Sequence, residues 1–113
     1  MKKELLELAA KAAGIVIVKH PTGGFEHSDS GYLTIQTPGY RGLKGWNPLT
    51  DDGDALRLAA TLLINVNQDG NIVEAYGASR GRDHFCTEQA SPDRLAATRR
   101  AIVRAAAEIG KSK

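Results

Sequence analysis

Residues 45–63, GWNPLTDDGDALRLAATLL, constrain this chain more than any other stretch, because they specify a helix start, a helix face and an aromatic anchor together. Pro48 lacks an N–H and holds Asn47 extended, so the chain enters the helix from a turn. The Thr50 hydroxyl is placed to accept the orphan N–H of Asp52 or Gly53. Asp51, Asp52 and Asp54 set negative charge against the positive end of the helix dipole, which puts the helix start at Asp51. Behind it Ala55, Leu58, Ala59 and Leu62 recur at helical spacing, Leu56 and Leu63 widen the stripe, and Arg57 lies opposite. A helix faced with Ala and Leu packs closely on a sheet, with Trp46, the only tryptophan, covering its start. The aspartates do not form a calcium loop, which needs ligands at alternate positions and a closing Glu.

On either side the pattern alternates between helix and strand. Residues 2–13 place Leu5, Leu8, Ala9 and Ala12 on one helix face and Lys3, Glu7 and Lys11 away from it, with Gly14 as the left-handed stop. The β-branched run 15–19 predicts a buried strand, 20–31 a loop, 32–37 an alternating strand, and 38–48 an irregular connection rich in Gly and Pro. Strands at 63–67 and 72–76 flank Asp69-Gly70, the best hairpin signal in the chain. Residues 77–83, GASRGRD, predict a flexible loop, and 84–87 a last short strand. Ser91 is placed to cap a final helix with Pro92 in its first turn; Leu95, Thr98, Ile102, Ala105 and Ile109 form its inward face and Gly110 its end. The order is α-β-β-α-β-β-(β)-α. It predicts a single α+β domain over residues 1–113: a mainly antiparallel sheet of about four strands packed with three helices in a helix–sheet–helix sandwich.

Composition narrows the function classes. With 113 residues, 42% hydrophobic, there is enough for one core, and at 5% aromatics that core is built from Ala, Leu, Ile and Val, which argues against a deep cofactor cleft; no cofactor is expected. A single cysteine, Cys86, excludes an internal disulfide and fits a reducing compartment. Glu4, Glu7 and Lys11 interrupt any signal-like apolar run near the start, and no stretch reaches the roughly 20 apolar residues of a membrane helix. The expectation is a cytoplasmic protein with no membrane partner. Net charge is +2, but residues 91–113 carry six Lys and Arg against two acids, so the basic surplus belongs to the C-terminal helix.

Three constellations could carry chemistry. Arg94, Arg100 and Arg104 on the last helix could meet nucleic-acid phosphates; Arg99 lies roughly 100° around from Arg100, and no aromatic row accompanies them, which favours a solvated or salt-bridged face. Arg80 and Arg82, in the Gly-containing loop 77–82, could cradle an anion, although no phosphate-loop spacing is present. His84 and Cys86 sit two apart on one side of a strand, but zinc needs about four ligands and His20 and His27 lie in a distant loop, so no metal site is expected. Nothing in the pair aligns a base and an orienting group for nucleophilic catalysis, and no catalytic residue is assigned.

The combination of WNPLTDDGDALRLA in the middle and LAATRRAIVRAAAEIG at the end resembles small uncharacterised proteins of tailed phages and prophages, similar to the phage alpha-beta-alpha sandwich domain proteins. The resemblance covers residues 45–66 and 91–110 and implies a compact helix–sheet–helix domain in the cytoplasm of a host cell. It implies no activity. The leading expectation is therefore a phage or prophage accessory protein that binds a host macromolecule, most readily a protein, without catalysis. Nucleic-acid binding through the last helix is the second reading, and a small nucleotide-binding protein or enzyme using loop 77–82 the third. Self-association into a homo-oligomer fits exposed apolar helix faces.

Overall fold

The computed structural model describes residues 2–18, 33–36, 43–79 and 81–113. Their order is α1 (Lys2–Ala13), β1 (Leu33–Gln36), β2 (Leu43–Trp46), α2 (Asp52–Leu62), β3 (Asn65–Asp69), β4 (Ile72–Ser79), β5 (Arg82–Gln89) and α3 (Arg94–Lys111), an α+β arrangement with antiparallel pairing throughout. Helix α3 organises it. Ala97, Ala101, Val103, Ala105, Ala106 and Ala107 are all buried, because α3 packs on β4 and β5 with one side and on α1 and α2 with others. Small side chains allow the close approach that such a middle layer requires. The layers therefore run sheet, α3, α1, with α2 beside α3.

Gly110 shows how close the helices come. A Cβ there would fall 2.1 Å from the Leu8 carbonyl oxygen, so α1 and α3 cross almost backbone to backbone. The sequence pattern ends the last helix at Gly110; the helix instead continues to Lys111, with Ser112 as its C-cap, and this glycine provides clearance within the helix. Gly14 does end α1, at φ 72°, as its position predicts. The buried face of α1 centres on Leu6, Ala9, Ala10 and Ala12, rotated from the expected stripe toward the crossing with α3.

Both predicted N-caps shift by one or two residues. Asp51, not Thr50, caps α2: its carboxylate accepts the Asp54 N–H at 2.9 Å, a stronger charge-assisted bond than a hydroxyl offers. Asp93, not Ser91, caps α3 in the same way through the Ala96 N–H. Asp54 itself is buried, accepting from the Asn47 N–H at 2.9 Å and from Arg57 at 2.8 Å, so the expected dipole partner also fastens the turn that follows the buried Trp46 to α2.

The strands depart further. The run 15–19 forms no described strand; its only ladder contact is an isolated bridge from Ile17 to Ile35, and Lys19 lies outside the described residues. Part of the segment predicted as an irregular connection is strand β2, paired antiparallel with β1, because pairing partners outweigh the weak strand preference of Gly45. The loop expected at 20–31 lies outside the described residues. The first hairpin turns on Gly70 and Asn71, with Gly70 at φ 53°. The segment 77–83 is mostly strand rather than loop: β4 runs to Ser79 and β5 starts at Arg82, with Gly81 before it at φ 77°. Gly77 fits within β4 because its inner face meets Ile64 and Ile109 where a Cβ would crowd them.

Candidate functional site

The inner face of β5 alternates His84, Cys86 and Glu88 toward α3. Glu88 receives Arg100 Nε at 3.0 Å on one oxygen and an Arg104 guanidinium nitrogen on the other, and Arg104 also donates to the Thr87 carbonyl. Burial works to raise the Glu88 carboxyl, but the hydrogen bonds from Arg104 and Arg100 outweigh it and the net direction is down; the bond to Glu88 holds the Arg104 guanidinium up. The remaining arginines of α3 are engaged as well. Arg94 donates to the Gln68 side chain at 2.9 Å and to the Gly70 carbonyl, and Arg99 to the Leu49 carbonyl at 2.8 Å and to Asp52. The predicted trio Arg94, Arg100 and Arg104 is thus not brought together: Arg94 serves the β3–β4 turn, while Arg100 and Arg104 share one carboxylate on β5.

Arg82 is the first residue of β5, exposed and opposite Ser79, and Arg80 lies outside the described residues. Most of the segment expected to cradle an anion is therefore paired strand. His84 and Cys86 do share a polar cleft of about 500 Å³ with Leu5, Arg104, Glu108 and Lys111. Burial pushes the Cys86 thiol up, against a smaller opposite pull from Arg104, so it stays protonated at neutral pH and is a poor nucleophile. His84 Nε2 is buried without a hydrogen-bond partner, so it makes no hydrogen bond to this thiol. Among the described residues no group of three or more His, Cys, Asp and Glu side chains is placed to hold a metal ion.

The feature that sequence reasoning missed lies on the other side of α3. Helix α3 covers β4 and β5 but leaves β3 bare, and all five β3 residues are exposed. Between α2, β3 and α3 opens an apolar groove of about 590 Å³, lined by Leu56, Ala59 and Ala60 of α2, Ile64 and Val66 beside it, and Leu95 and Ile102 of α3. Leu56 is 70% exposed and Leu95 62%, although the helical stripes place both in the core. Leu63, 82% exposed, closes α2 in the left-handed region at φ 56°. A γ-branched side chain there costs about 1–2 kcal/mol where glycine would be free. The signal was present: Leu56, Ala60 and Leu63 form a second apolar stripe on α2 beside Ala55, Leu58 and Leu62, more apolar surface than one neighbour can cover.

Comparison with known proteins finds no matching family, no matching curated protein and no matching solved structure. No helix among the described residues is long and apolar enough to cross a membrane.

Proposed function

We propose that this chain is a non-enzymatic protein-binding module whose docking surface is the apolar groove between α2, β3 and α3. One observation carries the reading: Leu56 of α2 and Leu95 of α3 are each exposed by more than three-fifths and line one concavity together with Val66. Exposed apolar surface concentrated in this way marks interaction sites, whereas scattered single leucines do not. Covering these two side chains contributes on the order of 3 kcal/mol, below the roughly 4–15 kcal/mol cost of association. The partner therefore adds polar contacts at the rim, where Asp52, Asn65 and Thr98 stand. Its occupant is an apolar segment of another protein, anchored by aliphatic side chains.

The resemblance of residues 45–66 and 91–110 to tailed-phage and prophage proteins supports reading this module as a phage or prophage accessory protein acting in the host cytoplasm, with a host protein as partner. Engagement of Arg94, Arg100 and Arg104 by internal acceptors weighs against nucleic acid as the main partner, and the protonated Cys86 thiol against nucleophilic catalysis. The test is affinity capture from host-cell extract with the wild-type chain and with a Leu56→Glu/Leu95→Glu variant. Both positions are exposed, so the variant keeps its melting temperature. A partner retained by the wild type and lost by the variant is the expected result; identical capture by both would reject the groove as the docking surface.

A further inference from the structure

The outer face of the β3–β4–β5 sheet, the one turned away from α3, is a different kind of surface from the groove. Val73, Ala75 and Cys86 point inward and are buried, so the alternating positions point out. There Tyr76 of β4 stands directly opposite Phe85 of β5, and Ile72 lies on the same face of β4; Phe85 is 57% exposed. Along the strands the aromatic pair is bracketed by carboxylates: Glu74 precedes Tyr76 by two residues on β4, and Asp83 precedes Phe85 by two on β5, each about 7 Å from its ring's position. Asp69 adds a third acid on β3, and no Lys or Arg occupies an outward position of these strands among the described residues.

The carboxylates are already oriented. Tyr76 donates its phenol hydrogen to Asp83 Oδ1 at 2.8 Å, and Asn67 Nδ2 donates to Glu74 Oε1 at 3.0 Å. Each carboxylate keeps further lone pairs to accept with. The bond to Asp83 also pushes the Tyr76 phenol up, so it remains a neutral donor through the physiological range. Aromatic faces beside fixed acceptors suit a planar cation, whose guanidinium lies over the ring while its N–H fork reaches a carboxylate. Phosphates are repelled by the same three acids, and a purely apolar partner would bury them unpaired.

We propose that this outer sheet face docks an arginine-bearing segment of a partner protein, with Tyr76 and Phe85 as the stacking surface and Glu74 and Asp83 as the acceptors. Charge complementarity selects the occupant: the outward strand positions are aromatic and acidic, while Arg100 and Arg104 of α3 are paired with Glu88 on the inner face. This surface is separate from the groove, and either can fail without the other.

The experiment is an amide-resolved NMR titration of the full chain with capped peptides of alternating Arg and Leu, the same with Lys, the same with Glu, and an oligothymidylate. The Arg peptide is expected to shift amides of β4 and β5, to bind more tightly than the Lys peptide, and to weaken with salt. Glu74→Gln/Asp83→Asn, which removes the charges with little change of shape, is expected to weaken it roughly tenfold, and Phe85→Ala about two- to fivefold. Leu56→Glu/Leu95→Glu should leave it unchanged. Should Phe85→Ala fail to fold, the carboxamide pair alone decides. Equal binding of the Glu peptide, shifts confined to the groove, indifference to the carboxamide pair, or oligothymidylate binding in place of the Arg peptide would each overturn the proposal.

Discussion

The two edges of the β3–β4–β5 sheet meet α3 in opposite ways. At β5 the helix lies directly on the strand, and the arginines there are engaged: Glu88 clamps Arg100 and Arg104, and Cys86 is buried close by. At β3 the helix is joined by side-chain hydrogen bonds, Gln68 to Thr98 at 3.2 Å and Arg94 to Gln68, and all five strand residues are left exposed. Side chains that look like ligand contacts in the sequence therefore act as internal fasteners, while side chains that look like core are available to a partner.

The sharpest way to break this comparison is on α2, whose two apolar stripes fall on its two sides. Leu58→Ala is expected to cost about 2–5 kcal/mol in denaturant melts, and Leu56→Ala less than about 0.5 kcal/mol, although the sequence assigns both to the same stripe. Similar losses would mean that the groove is filled in the free protein. Gly110→Ala comes next. Helix propensity alone predicts a gain of about 1 kcal/mol, but the new methyl would collide with the Leu8 carbonyl, so overpacking of about 1–3 kcal/mol prevails and the variant melts lower than wild type.

The β5 edge is tested through pH. The folded Glu88 carboxyl is depressed below its unfolded value, so its contribution is present above the usual glutamate range and is lost as pH falls through the folded value. Glu88→Gln should cost about 0.5–1 kcal/mol at neutral pH, discounted because both arginines are nearly half exposed. The gap from wild type should close below about pH 4, read by urea melts across that range; a gap independent of pH would show that the carboxylate charge is not what fastens α3 to β5. The smallest expected effect is at the end of α2: Leu63→Gly should stabilise the chain by about 0.5 kcal/mol by relieving the left-handed leucine. A loss instead would show that Leu63 contributes packing in the free protein.

Local chemistry made much of this fold legible. Gly14, the hairpin at Gly70 and the existence of the three helices are set by nearest neighbours, and they fall close to where the sequence puts them. What was hidden depends on tertiary partners. Strand β2 exists because β1 pairs with it, β4 and β5 run through GASRGRD because each supplies the other's hydrogen bonds, and Gly110 reads as a helix stop until Leu8 is brought against it. The α3 arginines were read correctly as candidates for a salt-bridged face, but their partners, Glu88 and Asp52, are distant in sequence. The groove was concealed by the same limit: periodicity tells which residues share a face, and it does not tell whether a neighbour arrives to cover it.

The central claim, that the α2–β3–α3 groove receives a partner protein, is tested most directly by placing a photoreactive amino acid at Leu56 or Leu95 and irradiating the chain in host-cell extract, with Lys11 on α1 as the control position. The account predicts one and the same protein cross-linked from both groove positions and not from Lys11. Cross-linking only to a second copy of the chain, or the same products from all three positions, would contradict it.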